Sequence, residues 1–241
     1  MPIPDSSRSN VLVEFARRMI SWPRALVATA VVASCVGAGC ADPDRARVKA
    51  TTQANYDRAT GKLAEITYDK NKNGRIDTWV KMDGSRPISA QIDSDEDGRI
   101  DRWEEYGADG ALTVARIARA KQGTPDQIIY MKAGGDVDRI EYLEVSDVTG
   151  KEGVVRREFF ERGQRIRAEE DADGDGLMDR WEHYDAAGAQ IAVEFDTIQP
   201  YTGKPNRRMN YSPSGELLSI ETEPDGAGGY LKKTIPGKKK D

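Results

Sequence analysis

The sequence predicts an all-β fold: antiparallel hairpins repeated with a period of about 24 residues, forming a meander, a curved or rolled sheet, or an open solenoid. Three observations lead there. Short stretches of alternating polarity are bounded by turn residues, as in Gln127-Ile-Ile-Tyr130-Met-Lys, Gly134-Gly-Asp136 and Arg139-Ile-Glu-Tyr-Leu143. An aspartate-rich segment recurs, beginning at Asp69, Asp93 and Asp171, the first two starts lying 24 residues apart. The stretch after each copy is too short for a helix. Arg102-Trp103-Glu104-Glu105-Tyr106 reaches Gly107-Ala-Asp109-Gly110 before two helical turns could form.

The hairpins can be placed in order. The first pairs 52–56 with 63–67 around Asp57-Arg-Ala-Thr-Gly61. A strand at 88–92 leads into the second acidic segment, and one at 102–106 leaves it. Residues 127–132 pair with 139–143, and 154–160 turn at Arg162-Gly163-Gln164 into 165–170. Beyond the third acidic segment, 180–184 turns at Asp185-Ala-Ala-Gly188, and 207–211 turns at Pro213-Ser-Gly215 into 217–220. About seven hairpins result, joined by longer loops. Their turn pattern resembles that of YD-type and MORN-type bacterial repeats. Tryptophan and tyrosine recur on these strands, among them Trp79, Trp103, Trp181, Tyr106 and Tyr184. Cross-strand packing accounts for them; the alternative is an exposed aromatic ladder able to hold glycan or peptide.

The acidic segments carry the chemistry. The second copy, 93–104, has carboxylates at positions 1, 3, 5 and 9 (Asp93, Asp95, Asp97, Asp101), glycine at 6 (Gly98) and Glu104 at 12. The third, 171–182, repeats this with Asp171, Asp173, Asp175, Asp179, Gly176 and Glu182. Like charges about 4 Å apart repel by about 4 kcal/mol at an effective dielectric of about 20. Such a ring therefore calls for a cation inside it. Oxygen-only ligands on alternate residues of a glycine-turned loop suit calcium. The first copy, 69–80, is eroded. Asp69 and Asp77 keep positions 1 and 9, but positions 3 and 5 are Asn71 and Asn73, interleaved with Lys70 and Lys72, and position 12 is Val80. Hydrogen bonding is expected to hold that turn, with a weak metal site at Asp69, Asn71, Asn73, Arg75 and Asp77 as the alternative.

These loops resemble EF-hand loops, and the helix-free loops of thrombospondin type 3 and dockerin-type repeats. The resemblance implies backbone carbonyl ligands at position 7, Arg99 and Leu177, and Ca2+ as the cofactor. It also implies a carboxylate ligand at position 12. If the chain is already a strand there, Asp101 and Trp103 share one face and Glu104 the other. Glu104 and Glu182 then reach the ion only if the chain stays curled.

Residues 1–40 read as an export signal. Arg24 precedes the apolar run 25–34, which ends in small residues and the two cysteines, Cys35 and Cys40. The run is too short to span a membrane comfortably. The segment resembles a bacterial lipoprotein signal, implying lipidation at Cys40, or at Cys35, with translation starting at Met1 or Met19. Residues 41–51 form a tether, 52–235 the repeat domain and 236–241 a basic tail. The expected location is the bacterial cell envelope, lipid-anchored in the outer membrane. No cysteine follows Cys40, so the mature fold cannot use intrachain disulfides.

Without residues 1–40, whose four arginines outnumber Asp5 and Glu14 by two, the net charge moves from −5 to −7. An acidic chain does not point to nucleic acid. The one histidine, His183, is expected to face solvent or pair with a carboxylate. No Gly-x-Ser-x-Gly elbow, phosphate loop or His-Glu-x-x-His motif occurs. The expectation is therefore no enzyme, but a lipid-anchored, calcium-binding structural or binding module with a protein or glycan partner. The alternatives are a dockerin-like adhesion module or a polysaccharide-acting enzyme. The latter would need paired carboxylates beyond the loops, and sequence alone does not single any out among Glu158, Glu161, Glu169 and Glu194.

Overall fold

The structure is a computed structural model and describes residues 51–120, 123–222 and 231–234. Cys35, Cys40, the rest of the signal segment, tether residues 41–50 and the basic tail lie outside the described residues. The described residues form fifteen strands, arranged as an antiparallel meander whose sheet order is the chain order. The all-β hairpin meander expected from the sequence is thus the architecture observed. The chain divides into two compact units after Thr124.

The first unit holds β1 (Thr52–Tyr56), β2 (Leu63–Tyr68), β3 (Thr78–Asp83), β4 (Arg86–Ile92), β5 (Arg102–Tyr106) and β6 (Leu112–Ile117). The second holds β7 (Gln127–Met131), β8 (Val137–Val145), β9 (Glu152–Glu161), β10 (Gln164–Glu170), β11 (Arg180–Tyr184), β12 (Gln190–Phe195), β13 (Arg207–Tyr211), β14 (Leu217–Thr222) and β15 (Leu231–Thr234). The last strand was not foreseen from sequence. The odd-numbered strands from β1 to β13 begin at 52, 78, 102, 127, 152, 180 and 207, a spacing of 24 to 28 residues.

Connections alternate in kind. Short turns such as 84–85 and 162–163 close each hairpin, while longer loops such as 69–77, 93–101, 171–179 and 196–206 lead to the next. In a meander, alternate connections fall at opposite strand ends. Within each unit the long loops therefore share one end. The ladder continues into their bases. The Asp93 amide donates to the Asp77 carbonyl at 2.8 Å, and the Asp196 amide to the Asp179 carbonyl at 2.9 Å.

Little apolar surface is buried. Among the described residues of the first unit, the buried hydrophobic ones are Ala90, Ala115 and Ala118. In the second they include Ile129, Val137, Ile140, Phe160, Trp181 and Val193. Charged groups fill much of the rest. Glu158 pairs across the ladder with Ala168, which pairs with Glu182, so all three project from one face. On that face Arg156 reaches Glu158 at 3.1 Å, Glu170 at 3.2 Å and Glu182 at 2.9 Å. The network is shared: Glu158 is also held by Arg165, and Glu170 and Glu182 by Arg180.

Candidate metal centres

The three acidic segments fold alike. Each base is pinched by the position-9 amide, which donates to the carbonyl just before position 1: Asp77 to Tyr68 at 3.1 Å, Asp101 to Ile92 at 3.0 Å and Asp179 to Glu170 at 2.9 Å. The position-1 carboxylate accepts the glycine amide at position 6, from Gly74, Gly98 and Gly176, at 2.8, 3.0 and 2.9 Å. Those glycines sit at φ of 90°, 92° and 96°, where a side chain would be strained. Position 9 accepts the amide of position 2, and positions 3 and 5 accept those of positions 5 and 7. Each side chain thus draws the backbone around one point.

In the second and third copies that point is ringed by carboxylates. Asp93, Asp95 and Asp101 offer oxygens lying within 4.8 Å of one another, as do Asp171, Asp173 and Asp179. Both clusters could hold a metal ion. Two features of the clusters fit a cation. Asp93 is 6% exposed, and its Oδ1 is buried with no hydrogen-bond partner although its Oδ2 takes the Gly98 amide. A buried anionic oxygen without a donor is costly unless something positive faces it. In the third loop, burial pushes the Asp179 carboxyl above its ordinary value; the Ala172 amide opposes this, while Asp173 and Asp171 add to the rise. Crowded like charges are what a cation relieves. Asp97 and Asp175 lie exposed, each holding the position-7 amide, of Arg99 or Leu177, at 2.8 Å.

Position 12 lies on a strand. The loops are nine residues long, not twelve, because the chain rejoins the ladder at position 10, with Arg102 opening β5 and Arg180 opening β11. Glu104 and Glu182 are therefore strand residues and do not join the clusters. Arg102 Nε donates to Glu104 at 2.6 Å, and the Tyr106 hydroxyl donates to its other oxygen. Glu182 is held by Arg156 at 2.9 Å, Arg180 at 2.7 Å and the Tyr184 hydroxyl at 2.6 Å. Burial works to raise the Glu182 carboxyl, but the tyrosine and the arginines win and hold it below its ordinary value. Burial, together with the neighbouring glutamate, pushes Tyr106 and Tyr184 well above the usual phenol range. Both hydroxyls stay protonated and donate.

The first loop has the same backbone without the charge. Asp69 accepts amides from Lys72 at 2.6 Å, Asn73 at 3.2 Å and Gly74 at 2.8 Å, and Asp77 takes the Lys70 amide and the Thr78 hydroxyl. These hydrogen bonds have counterparts in the other two loops. The alternative ligand Arg75 is an exposed residue whose amide Asn73 holds at 2.8 Å.

Sequence reasoning missed a fourth loop of related design, 196–206. Buried Asp196 accepts from the Thr202 amide and hydroxyl at 2.6 and 2.9 Å and from the Gly203 amide at 2.9 Å. Asn206 closes the loop by taking the Thr197 amide and hydroxyl. An aspartate directly after a strand, followed by a Thr-Gly pair, was the available signal. The acids left undivided by sequence are partly resolved. Glu158 is held by Arg156 and Arg165, Glu169 by Arg167 and Arg157, and Glu194 by His183 and Arg208. His183 therefore pairs with a carboxylate, at 2.9 Å from Glu194.

No protein-family model matches the chain, and no curated protein matches it. Among solved structures, part of the chain is similar to TarM, at 12% identity over 51% of this chain and 19% of that one, with a TM-score of 0.28. A structure of accessory secretory proteins 1, 2 and 3 from Streptococcus pneumoniae matches at 17% identity over 62% of this chain and 19% of that one, TM-score 0.21. A GtfA/B complex bound to UDP and GlcNAc matches at 14% identity, over 51% of this chain and 22% of that one, TM-score 0.17. The chain spans about a fifth of the length of each, and likeness at this level carries no argument about activity.

Proposed function

We propose that this chain is an exported, lipid-anchored β-repeat protein of the bacterial cell envelope, braced by calcium and serving as a structural or binding module. The observation that carries the cation reading is the buried, unpartnered Asp93 Oδ1 within the Asp93, Asp95 and Asp101 cluster. Asp93, Asp95, Asp97 and Asp101 would hold one ion, with the Arg99 carbonyl, and Asp171, Asp173, Asp175 and Asp179 the other, with the Leu177 carbonyl. All-oxygen donor sets of this kind suit calcium better than zinc. Bound calcium supplies charge and coordination but no reaction.

Extracellular calcium modules typically bind at about 10⁻⁴–10⁻³ M. A site of that strength would stay filled as a constitutive brace. Calorimetric titration with calcium should give two sites, Asp95→Ala and Asp173→Ala removing one each. A titration without binding heat, together with a melting temperature unmoved by chelator, would dismiss the cation. The lipid anchor is tested separately by mass spectrometry of the membrane-extracted protein, with Cys40→Ala and Cys35→Ala identifying the modified residue. A mature chain carrying no acyl mass would dismiss the anchor.

A further inference from the structure

We propose that the first loop is a carboxylate cradle rather than a cation site: it takes Glu96 from the second loop, and its order depends on the second loop's cation. The dependence on occupancy rests on the calcium reading above. The cradle itself rests on geometry.

At positions 3 and 5 of all three loops, one side-chain oxygen accepts a backbone N–H. Asn71 takes the Asn73 amide at 3.0 Å and Asn73 the Arg75 amide at 2.8 Å, as Asp173 and Asp175 do with their counterparts in the third loop. The remaining terminal atom is an oxygen in Asp95, Asp97, Asp173 and Asp175, but an amide nitrogen in Asn71 and Asn73. Turning either amide over would set an NH2 group against a backbone N–H, so the hydrogen bonds fix its orientation. Two donors thus stand where the acidic loops present acceptors. The polarity of the site is reversed.

Both donors find the same anion. Asn71 Nδ2 donates to Glu96 Oε1 and Asn73 Nδ2 to Glu96 Oε2, so the carboxylate is gripped through both oxygens. Glu96 is position 4 of the second loop, and it lies at φ 60°. Position 4 is left-handed in every copy, with Lys72 at φ 66° and Gly174 at φ 78°. Glycine would sit there with less strain, so a glutamate is an expensive choice. Its side chain gives a reason. Position 4 of the third loop also meets the preceding connection, by a different bond: the Ser146 hydroxyl donates to the Gly174 carbonyl. In both cases an acidic loop leans on its predecessor through position 4. A cation between Asp93, Asp95 and Asp101 would fix the turn that carries Glu96, and Glu96 would in turn hold Asn71 and Asn73.

The test is hydrogen exchange on the full chain, with calcium and with chelator, followed at Lys72, Asn73 and Gly74 in the first loop and at Gly98 in the second. In the wild type, calcium protects both sets, while calorimetry counts no ion in the first loop. In Glu96→Ala, Gly98 keeps its calcium response. Protection of the first-loop amides falls at least about tenfold, the factor expected for losing even one hydrogen bond to a charged acceptor, and no longer responds to calcium. Glu96→Gln, which keeps one acceptor oxygen, falls between. Asn71→Asp with Asn73→Asp restores the acidic pattern and should add a third calcium site. The cradle is overturned if Glu96→Ala leaves first-loop exchange unchanged, or if the wild type binds a third ion that Asp69→Asn removes. If calcium leaves Gly98 unaffected in the wild type, the calcium reading and the dependence on occupancy both fail. A first-loop loss in Glu96→Ala under chelator would still identify the cradle.

Discussion

The two units use one topology but are held together by different means. Among the described residues, the first buries only alanines of its hydrophobic residues, and its long loops include one acidic cluster and one loop tied to the second acidic loop through Glu96. The second buries Ile129, Val137, Ile140, Phe160, Trp181 and Val193, each contributing roughly 1.5–3 kcal/mol. It also carries the Arg156 network and closes 196–206 with hydrogen bonds alone. A repeat can therefore be braced by apolar packing, by neutral or charged hydrogen bonds, or by an ion. Each unit has one acidic cluster that could hold an ion, and the first unit, with less apolar packing among its described residues, would depend more on an ion bound there.

Chelation is the strongest way to break this comparison. At a hundredfold excess over Kd, each site contributes about 2.7 kcal/mol, about 5 kcal/mol for both. In chelator, exchange in β3–β6 should rise before exchange in β8–β11, and Asp95→Ala in calcium should reproduce the first-unit loss alone. Equal loss in both units would dissolve the contrast. Glu182→Ala should cost the second unit about 2 kcal/mol by leaving the Tyr184 hydroxyl without its acceptor and taking one partner each from Arg156 and Arg180, which Glu158 and Glu170 still hold. Calcium stoichiometry should be unchanged, since Glu182 belongs to the sheet and not to the loop; a lost site would restore it as a ligand. Asp196→Ala should cost about 2 kcal/mol by orphaning the Thr202 and Gly203 amides, equally in calcium and in chelator by thermal melting.

The smallest effect expected is on the acid limb. Burial acts to raise the Asp196 carboxyl, but hydrogen bonds from Thr202, Ile198 and Lys204 override it and hold it below its ordinary value of 3.8. A depressed carboxyl contributes stability that is complete above pH 3.8 and lost as pH falls through the folded-state value. Asp196→Asn should flatten that limb in melts recorded across pH. Asp179 has the opposite sign. Its folded value is raised, so without a cation its ionisation opposes folding as pH rises through that value. Calcium binding at the third loop should accordingly release protons and tighten as pH rises through that window, visible as a buffer-dependent binding heat.

Much of this was legible because it is local. Alternation and turn residues marked the hairpins, and β5, β7 and β13 begin where the pattern begins. The acidic spacing marked both clusters. Position 12 was left open by the sequence, because loop spacing describes ligands only while the chain stays curled, and at Arg102 and Arg180 the ladder takes it back. The loop at 196–206 was harder to see for a related reason: its acceptors are satisfied by Thr197, Thr202 and Gly203, whose spacing matches no ion-binding pattern and leaves only the Asp and Thr-Gly signal.

By itself the sequence determined the repeat, most of the strands and the aspartates that converge, since each depends on residues within one turn or one hairpin. Only the tertiary structure decided which carboxylates belong to the loops and which to the sheet, that Asp93 keeps a buried oxygen without a donor, and that Glu96 lies across Asn71 and Asn73. Those facts depend on cross-strand register and on contacts between neighbouring loops. A hydrogen bond 25 residues distant leaves no periodicity in the chain that makes it.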